Sequence, residues 1–242
     1  MESISIVIPA FNEERRLPAT LDAILDYLHG TDFTASEVLV VDDGSRDATS
    51  HVVQDYAGRH PEVRLLQNPG NRGKGYSVRH AMLEARGDWV LFSDADLSAP
   101  IAELDKLLAA ARERGAQVAI GSRALDRSLI NVHQSFFREY AGRIFNLCMR
   151  VVTGLGFWDT QCGFKLFDAQ AAREIFRRQR LDGFSFDVEA LFLAHKLGFR
   201  AIEVPVRWSH AEGTKVSMFA DSLRMFSDLF RIRWNHLRGL YR

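Results

Sequence analysis

Short apolar runs rich in β-branched residues alternate along the chain with longer stretches whose apolar positions recur every three or four residues. Ile4-Ser5-Ile6-Val7-Ile8, Val38-Leu39-Val40-Val41, Val63-Arg64-Leu65-Leu66, Trp89-Val90-Leu91-Phe92 and Val118-Ala119-Ile120 read as strands. Helical patterns lie between them at residues 17–28, 48–57, 75–85 and 101–114; in the first, Leu17, Leu21, Ile24, Leu25 and Leu28 share one face. Central strands that are apolar throughout need cover on both sides. The pattern therefore predicts an α/β fold, a doubly wound, mostly parallel sheet with helices on both faces. After Gly121 the rhythm changes to an aromatic-rich helix over 136–153, a strand at 164–167, a helix pair, a strand at 201–206 and a last helix over 217–237. No repeat, low-complexity tract or linker intervenes, so residues 1–242 read as one domain.

The last helix is amphipathic in an unusual way. Phe219, Leu223, Phe226, Phe230, Trp234 and Leu237 recur at steps of three or four, Met218, Met225, Leu229 and Ile232 widen the arc, and Arg224, Arg231 and Arg238 stand seven apart on its flank. Such a helix suits a bilayer interface, where arginines meet anionic lipid. A broad apolar arc equally suits packing on the sheet, or a homodimer.

Polar clusters fall at the carboxyl ends of three predicted strands, where open α/β sheets bind ligands. They are Pro9-Ala10-Phe11-Asn12-Glu13, Asp42-Asp43-Gly44-Ser45 and Ser93-Asp94-Ala95-Asp96. Crowded carboxylates repel unless a cation lies between them. Asp94 and Asp96 are thus read as ligands of Mg²⁺ or Mn²⁺, which keeps positions open for water and substrate phosphates. The plainer reading makes them caps of the helix that follows. Asn71-Arg72-Gly73-Lys74-Gly75 is glycine-rich and basic, which suits backbone approaching a nucleotide, but Tyr76 and Ser77 stand where a Walker A loop would continue.

Composition narrows the partners. The 31 basic and 31 acidic residues give a formal net charge of zero, so bulk attraction to nucleic acid is excluded and anion binding must be local. Two cysteines, Cys148 and Cys162, are too few for a disulfide framework and fit a reducing compartment. The first residues lack a signal-peptide pattern, and no apolar run is long enough to span a bilayer. The expectation is a cytoplasmic protein, peripheral on the cytoplasmic face of a membrane.

These motifs resemble glycosyltransferase family 2, which has the GT-A fold. The likeness runs through Val7-Ile8-Pro9-Ala10-Phe11-Asn12-Glu13, Val41-Asp42-Asp43-Gly44-Ser45-Arg46-Asp47-Ala48-Thr49, Asn71-Arg72-Gly73-Lys74-Gly75 and Asp94-Ala95-Asp96. Gly121-Ser122-Arg123, Asp159-Thr160-Gln161-Cys162-Gly163-Phe164-Lys165, and Glu203-Val204-Pro205-Val206 leading to Gly213-Thr214-Lys215, resemble the branch that glycosylates dolichyl and other polyprenyl phosphates. The resemblance implies inverting, metal-dependent transfer of a hexose from a UDP- or GDP-sugar to a polyprenyl-phosphate lipid. It places Pro9, Ala10, Phe11, Glu13, Asp42, Gly73, Lys74, Asp94 and Lys215 along the nucleotide sugar. It gives the metal to Asp94 and Asp96, and acceptor phosphate to Arg123 and Arg138, with Arg143 as fallback. Asp159 matches an active-site aspartate, read as positioning rather than as a base. Ser98 stands where the mannosyltransferase branch often has glutamine, which tilts the reading from GDP-mannose toward UDP-glucose. Asp187 and Glu189 occupy the place of the base that other members keep for hydroxyl acceptors, and helix capping is the plainer role for Asp187. His210 is read as a solvated loop residue, with metal or diphosphate contact the alternative. A saccharide-hydroxyl acceptor, or a non-catalytic nucleotide-sugar-binding adaptor at a membrane surface, are the rival readings.

Overall fold

In a computed structural model, residues 2–132, 136–210 and 220–242 are described. Seven strands form one sheet: β1 (Ile4–Ala10), β2 (Ser36–Asp42), β3 (Val63–Gln67), β4 (Trp89–Ser93), β5 (Val118–Ser122), β7 (Phe164–Asp168) and β8 (Ala201–Pro205). Their order is β3-β2-β1-β4-β7-β5-β8. All neighbours are parallel except β7, which runs antiparallel to both β4 and β5. A short parallel pair, β6 (Ile130–Val132) and β9 (Trp208–Ser209), forms a second sheet. The strand pattern foretold the large sheet; it gave no sign that β7 inserts between β4 and β5, or of the small pair.

Period-two alternation sorts the side chains. Ile4, Ile6, Ile8, Val38, Val40, Leu91, Phe164 and Leu166 face one layer, with helices α1 (Leu17–His29), α2 (Thr49–Arg59) and α4 (Leu104–Arg114). Val7, Leu39, Val41, Val90, Phe92, Val118, Ile120 and Phe167 face the other, with α3 (Lys74–Glu84), α6 (Ala169–Arg178) and α7 (Phe186–Lys196). The helices α5 (Phe136–Thr153) and α8 (Ala220–Leu237) pack on each other through Phe145 and Phe226, whose ring centroids are 5.5 Å apart. Leu229 and Ile232 of α8 are buried in that second layer.

The two faces of α8 differ from the single broad arc of the sequence reading. Met225, Phe226, Leu229 and Ile232 turn toward the protein. Leu223, Phe230, Trp234 and Leu237 stay exposed, Leu237 by 75%. Ile144, Leu147 and Val151 of α5 are exposed as well. No helix among the described residues is long and apolar enough to cross a membrane.

Candidate functional site

Parallel β1, β2 and β4 bring their three polar carboxyl ends to one edge. The first two are laced together. Asn12 takes a left-handed φ of 54°. Its N–H donates to Ser45 Oγ (2.8 Å), and its Oδ1 accepts from the Arg46 N–H (2.8 Å). The Glu13 N–H donates to Thr49 Oγ1, and the Glu13 carboxylate pairs with Arg16 at 2.8 Å. Pro9 and Ala10 end β1, Ala10 buried, and Phe11 opens the following loop half-buried. Asp42 is buried and accepts from the Ser45 N–H and the Ser50 hydroxyl.

Its neighbour Asp43, part of the same acidic cluster in the sequence, shapes the glycine-rich loop. Oδ1 accepts from Asn68 Nδ2 and the Arg72 N–H, and Oδ2 from the Gly73 N–H, each at 2.8 Å. Gly73 has φ 103°, and a Cβ there would lie 2.4 Å from the Asp182 carbonyl oxygen. Only glycine can take that backbone against that neighbour. The chain then enters α3 at Lys74, whose N-terminus is a setting that favours anions, although the Tyr76 N–H of its first turn already donates to the Asp182 carbonyl.

Charges of both signs alternate beside it. Lys74 Nζ lies 2.6 Å from Asp94 Oδ1. Behind them the buried Lys165 Nζ lies 2.6 Å from Asp187 Oδ1 and donates to the Cys162 carbonyl oxygen. Both lysines approach the Phe92 ring, Lys74 Nζ at 5.3 Å and Lys165 Nζ at 5.8 Å from its centroid. Burial opposes charge on Lys74, but Asp94, Asp187 and Asp96 more than offset it and raise its pKa. Burial raises that of Asp187, with Lys165 and Lys74 only partly countering. Asp187 is therefore no helix cap: it lies inside the first turn of α7 and answers a buried lysine. Glu189 is fully buried, accepting from the Arg180 and Leu181 N–H groups and from the Tyr241 hydroxyl, a structural post rather than a base.

The turn after β4 is tight. The Ser98 N–H donates to Asp96 Oδ1 (3.0 Å), and Leu97 takes a left-handed φ of 44°. Backbone held in that region by a bulky residue stores strain, which collects at functional turns. Asp96 caps this turn and not the helix beyond it, whose start is flanked by Pro100. A Cβ on Gly163 would fall 2.0 Å from Asp94 Oδ2, so the Asp94 carboxylate occupies a seat that only glycine leaves open. No group of three or more His, Cys, Asp or Glu converges among the described residues. Two carboxylates near a helix start fit a hard dication that takes its other ligands from a diphosphate and water.

Antiparallel β7 explains how the remaining groups arrive. Its start at Phe164 lies at the ends of β4 and β5, which brings residues 159–163 alongside Asp94 and Arg123. The Asp94 N–H donates to the Gly163 carbonyl. Arg123 Nε and Nη2 donate to Asp159 Oδ2 (2.7 Å) and Oδ1 (2.8 Å), a bidentate fork. The guanidinium lies 5.2 Å from the Trp208 ring centroid. Asp159 is itself placed by Glu203 of β8, which accepts from the Trp158 and Asp159 N–H groups at 2.8 Å. Burial works against an ionised Asp159, but the Arg123 charge and hydrogen bonds bring its pKa down to about 2. Cys162, sealed nearby, has its thiol pushed up to about 12, chiefly by burial.

Asp94, Asp96, Lys74, Arg123 and Asp159 thus lie along one edge. The sequence reading quoted Asp43, Lys165 and Glu203 inside its motifs but gave none of them a role of its own, and it did not single out Trp208; an apolar strand interrupted by Lys165 was the one legible signal. His210 stacks on Trp208, centroids 6.1 Å apart, with no carboxylate partner among the described residues. The backbone of Arg138 and Arg143 lies in α5, while their side chains, and Lys215 entirely, lie outside the described residues.

The sequence profile of the Glycosyl transferase family 2 matches residues 5–176. A dolichyl-phosphate beta-glucosyltransferase of Drosophila melanogaster is 40% identical over 250 residues, covering 99% of this chain and 77% of its own. The Homo sapiens protein of that name is 36% identical over 259 residues, covering 100% and 78%. Among solved structures, glucosyl-3-phosphoglycerate synthase of Mycobacterium tuberculosis in complex with Mn²⁺, UDP-glucose and phosphoglyceric acid superposes with a TM-score of 0.68. It is 19% identical and covers 96% of this chain and 79% of its own. That likeness bears out the expected GT-A fold.

Proposed function

The chain belongs to glycosyl transferase family 2, and from that premise we propose that it transfers glucose from UDP-glucose to the phosphate of a dolichol-type polyprenyl phosphate, inverting the anomeric carbon. Membership makes it a glycosyltransferase and removes the adaptor reading. The lipid acceptor and glucose follow the names of its relatives. UDP and a divalent metal follow the ligands of the structural neighbour.

One observation carries the acceptor reading: Arg123 is held bidentately by Asp159 beside Asp94, at the edge where the donor loops converge. A guanidinium fixed in this way has N–H groups left to orient a phosphate oxygen. The Asp43-braced loop and the start of α3 would receive the donor diphosphate, with Lys74, paired to Asp94 in the free site, supplying a cation. Asp94 and Asp96 would hold Mg²⁺ or Mn²⁺, which when bound stabilises charge on the departing nucleoside diphosphate. A phosphate monoester has a second pKa near about 6, so it attacks as a dianion at neutral pH and needs no proton removed. An Asp159 committed to Arg123 and an Asp187 committed to Lys165 agree with that: neither is free to act as a base.

The acceptor's prenyl chain also needs a path. Trp158 is exposed beside Asp159, with Arg150 stacked 4.2 Å from its ring centroid, and Leu147 and Val151 continue the apolar surface along α5. The exposed face of α8, Leu223, Phe230, Trp234 and Leu237, is read as resting on the cytoplasmic surface of the membrane that holds the acceptor.

Steady-state kinetics of Arg123→Ala test the assignment. The apparent KM for polyprenyl phosphate should rise with donor Kd unchanged; a defect confined to donor binding would overturn it.

A further inference from the structure

A pocket of about 390 Å³ opens between the carboxyl ends of α7 and α8, lined by Leu193, Lys196, Leu197, His236, Leu237 and Tyr241, with Gly239 and Arg242 closing it. Lys196 and Leu197 lead into the amino end of β8, so this is the edge of the sheet opposite the Asp94 site. Its floor is apolar and its rim is cationic. Lys196 and Arg242 line it, Arg233 lies near enough for its charge to act on His236, and Lys196 rides 5.6 Å from the Phe192 ring centroid. His236 stacks edge-on against the same ring, centroids 5.4 Å apart. Burial first, and then the charges of Lys196, Arg233 and Arg242, hold the His236 pKa below its ordinary value. Leu237, 75% exposed, stands at the mouth, and Trp234 and Phe230 extend the apolar surface one and two turns back along α8.

Like charges gathered at one rim repel, and an apolar floor beneath them is costly to wet. One ligand relieves both: an anion on an apolar stem. We propose that this pocket takes the phosphate headgroup of an anionic phospholipid, with Leu237 and Trp234 entering the acyl region beside it. The site is separate from the acceptor site, and it rests on the reading that α8 lies on a membrane. Arginines on the flank of an interfacial helix attract anionic lipid diffusely; the pocket adds a fixed seat at one end of the helix.

Co-sedimentation of the full chain with vesicles of phosphatidylcholine, and of phosphatidylcholine mixed with phosphatidylserine, tests it. Wild type should partition more strongly onto the mixed vesicles. Lys196→Ala/Arg242→Ala should lose about fivefold for each charge removed, with an unaltered melting temperature. Arg59→Ala/Arg114→Ala removes the same charge from helices on the other face of the sheet and should leave partitioning unchanged. Equal losses in the two double variants, or equal binding of wild type to both vesicle types, would overturn the pocket. Sugar transfer to detergent-dispersed polyprenyl phosphate, run in parallel, separates the two readings. Transfer without anionic preference defeats the pocket alone, and pocket-dependent binding without transfer defeats the proposed reaction alone.

Discussion

Asp159 holds Arg123 at three points: Oδ2 accepts from the arginine's Nε at 2.7 Å and from its backbone N–H at 3.0 Å, and Oδ1 accepts from Nη2 at 2.8 Å. Asp159→Asn should therefore cost Arg123 its orientation as well as its counter-charge. Acceptor kcat/KM should fall about a hundredfold, as misplacement of a phosphate-aligning group does, with donor Kd little changed. Parallel acceptor kinetics and donor calorimetry check it.

The same pair has an acid signature. The folded-state pKa of Asp159 is about 2, below its usual value of 3.8, so its stabilisation is full above pH about 4 and drains away as pH falls toward 2. The pair should contribute on the order of 2 kcal/mol at neutral pH. Urea unfolding from pH 7 to 2 should show Asp159→Asn less stable at pH 7, with the gap reduced to about half by pH 3 and closing toward pH 2.

Gly163 is a seat for Asp94. A methyl group there would meet Asp94 Oδ2 at 2.0 Å, in a turn where the Gly163 carbonyl also receives the Asp94 N–H. Gly163→Ala should abolish Mn²⁺-supported turnover nearly as fully as Asp96→Ala, while both variants keep the wild-type far-ultraviolet spectrum. Manganese binding followed by paramagnetic resonance should weaken in both.

Lys165 and Asp187 test the difference between a base and a buried counter-ion. Removing Asp187 alone strands a lysine that is 1% exposed, so Asp187→Leu should cost about 3–5 kcal/mol. Lys165→Met/Asp187→Leu should recover most of that loss. Turnover separates the readings: were Asp187 a base, the stable double variant would lose the acidic limb of its pH–rate profile, whereas loss of a buried ion pair leaves that limb in place.

Tyr241 reaches the glycine-rich loop, proposed to hold the donor, through a relay. Its hydroxyl donates to Glu189 Oε1 at 2.5 Å, and Glu189 Oε2 receives the Leu181 N–H at 2.8 Å. Gln179 Nε2 then joins the Leu181 and Gly75 carbonyls, at 2.8 and 2.9 Å. Tyr241→Phe leaves a buried carboxylate short of a donor, at about 1–3 kcal/mol. UDP-glucose Kd should rise with it while the acceptor KM stays put.

Much of this was legible in the chain. Period-two and period-3.6 patterns gave the strands and helices of the main sheet, and Asp94-Ala95-Asp96 stood out because an apolar strand ended in acids. Topology hid the rest. Residues 159–163 sit beside Asp94 only because β7 reverses between β4 and β5, a pairing that local periodicity does not encode. Asp187 reads as a helix-start acid until Lys165, 22 positions earlier on that reversed strand, is brought against it. Glu203 looks like one polar residue on an edge strand, yet its two hydrogen bonds fix Asp159 from 44 residues away. The exposed and buried faces of α8 could not be told apart, because both are apolar and only packing against α5 distinguishes them.

The central claim is transfer of glucose to a lipid phosphate. Purified protein should be given radiolabelled UDP-glucose, Mn²⁺ and either polyprenyl phosphate or soluble saccharides, and label in the organic phase counted. The account predicts label that enters the organic phase only with polyprenyl phosphate and returns to water on mild acid cleavage of the glycosyl phosphate. Label found only on soluble saccharides would contradict it.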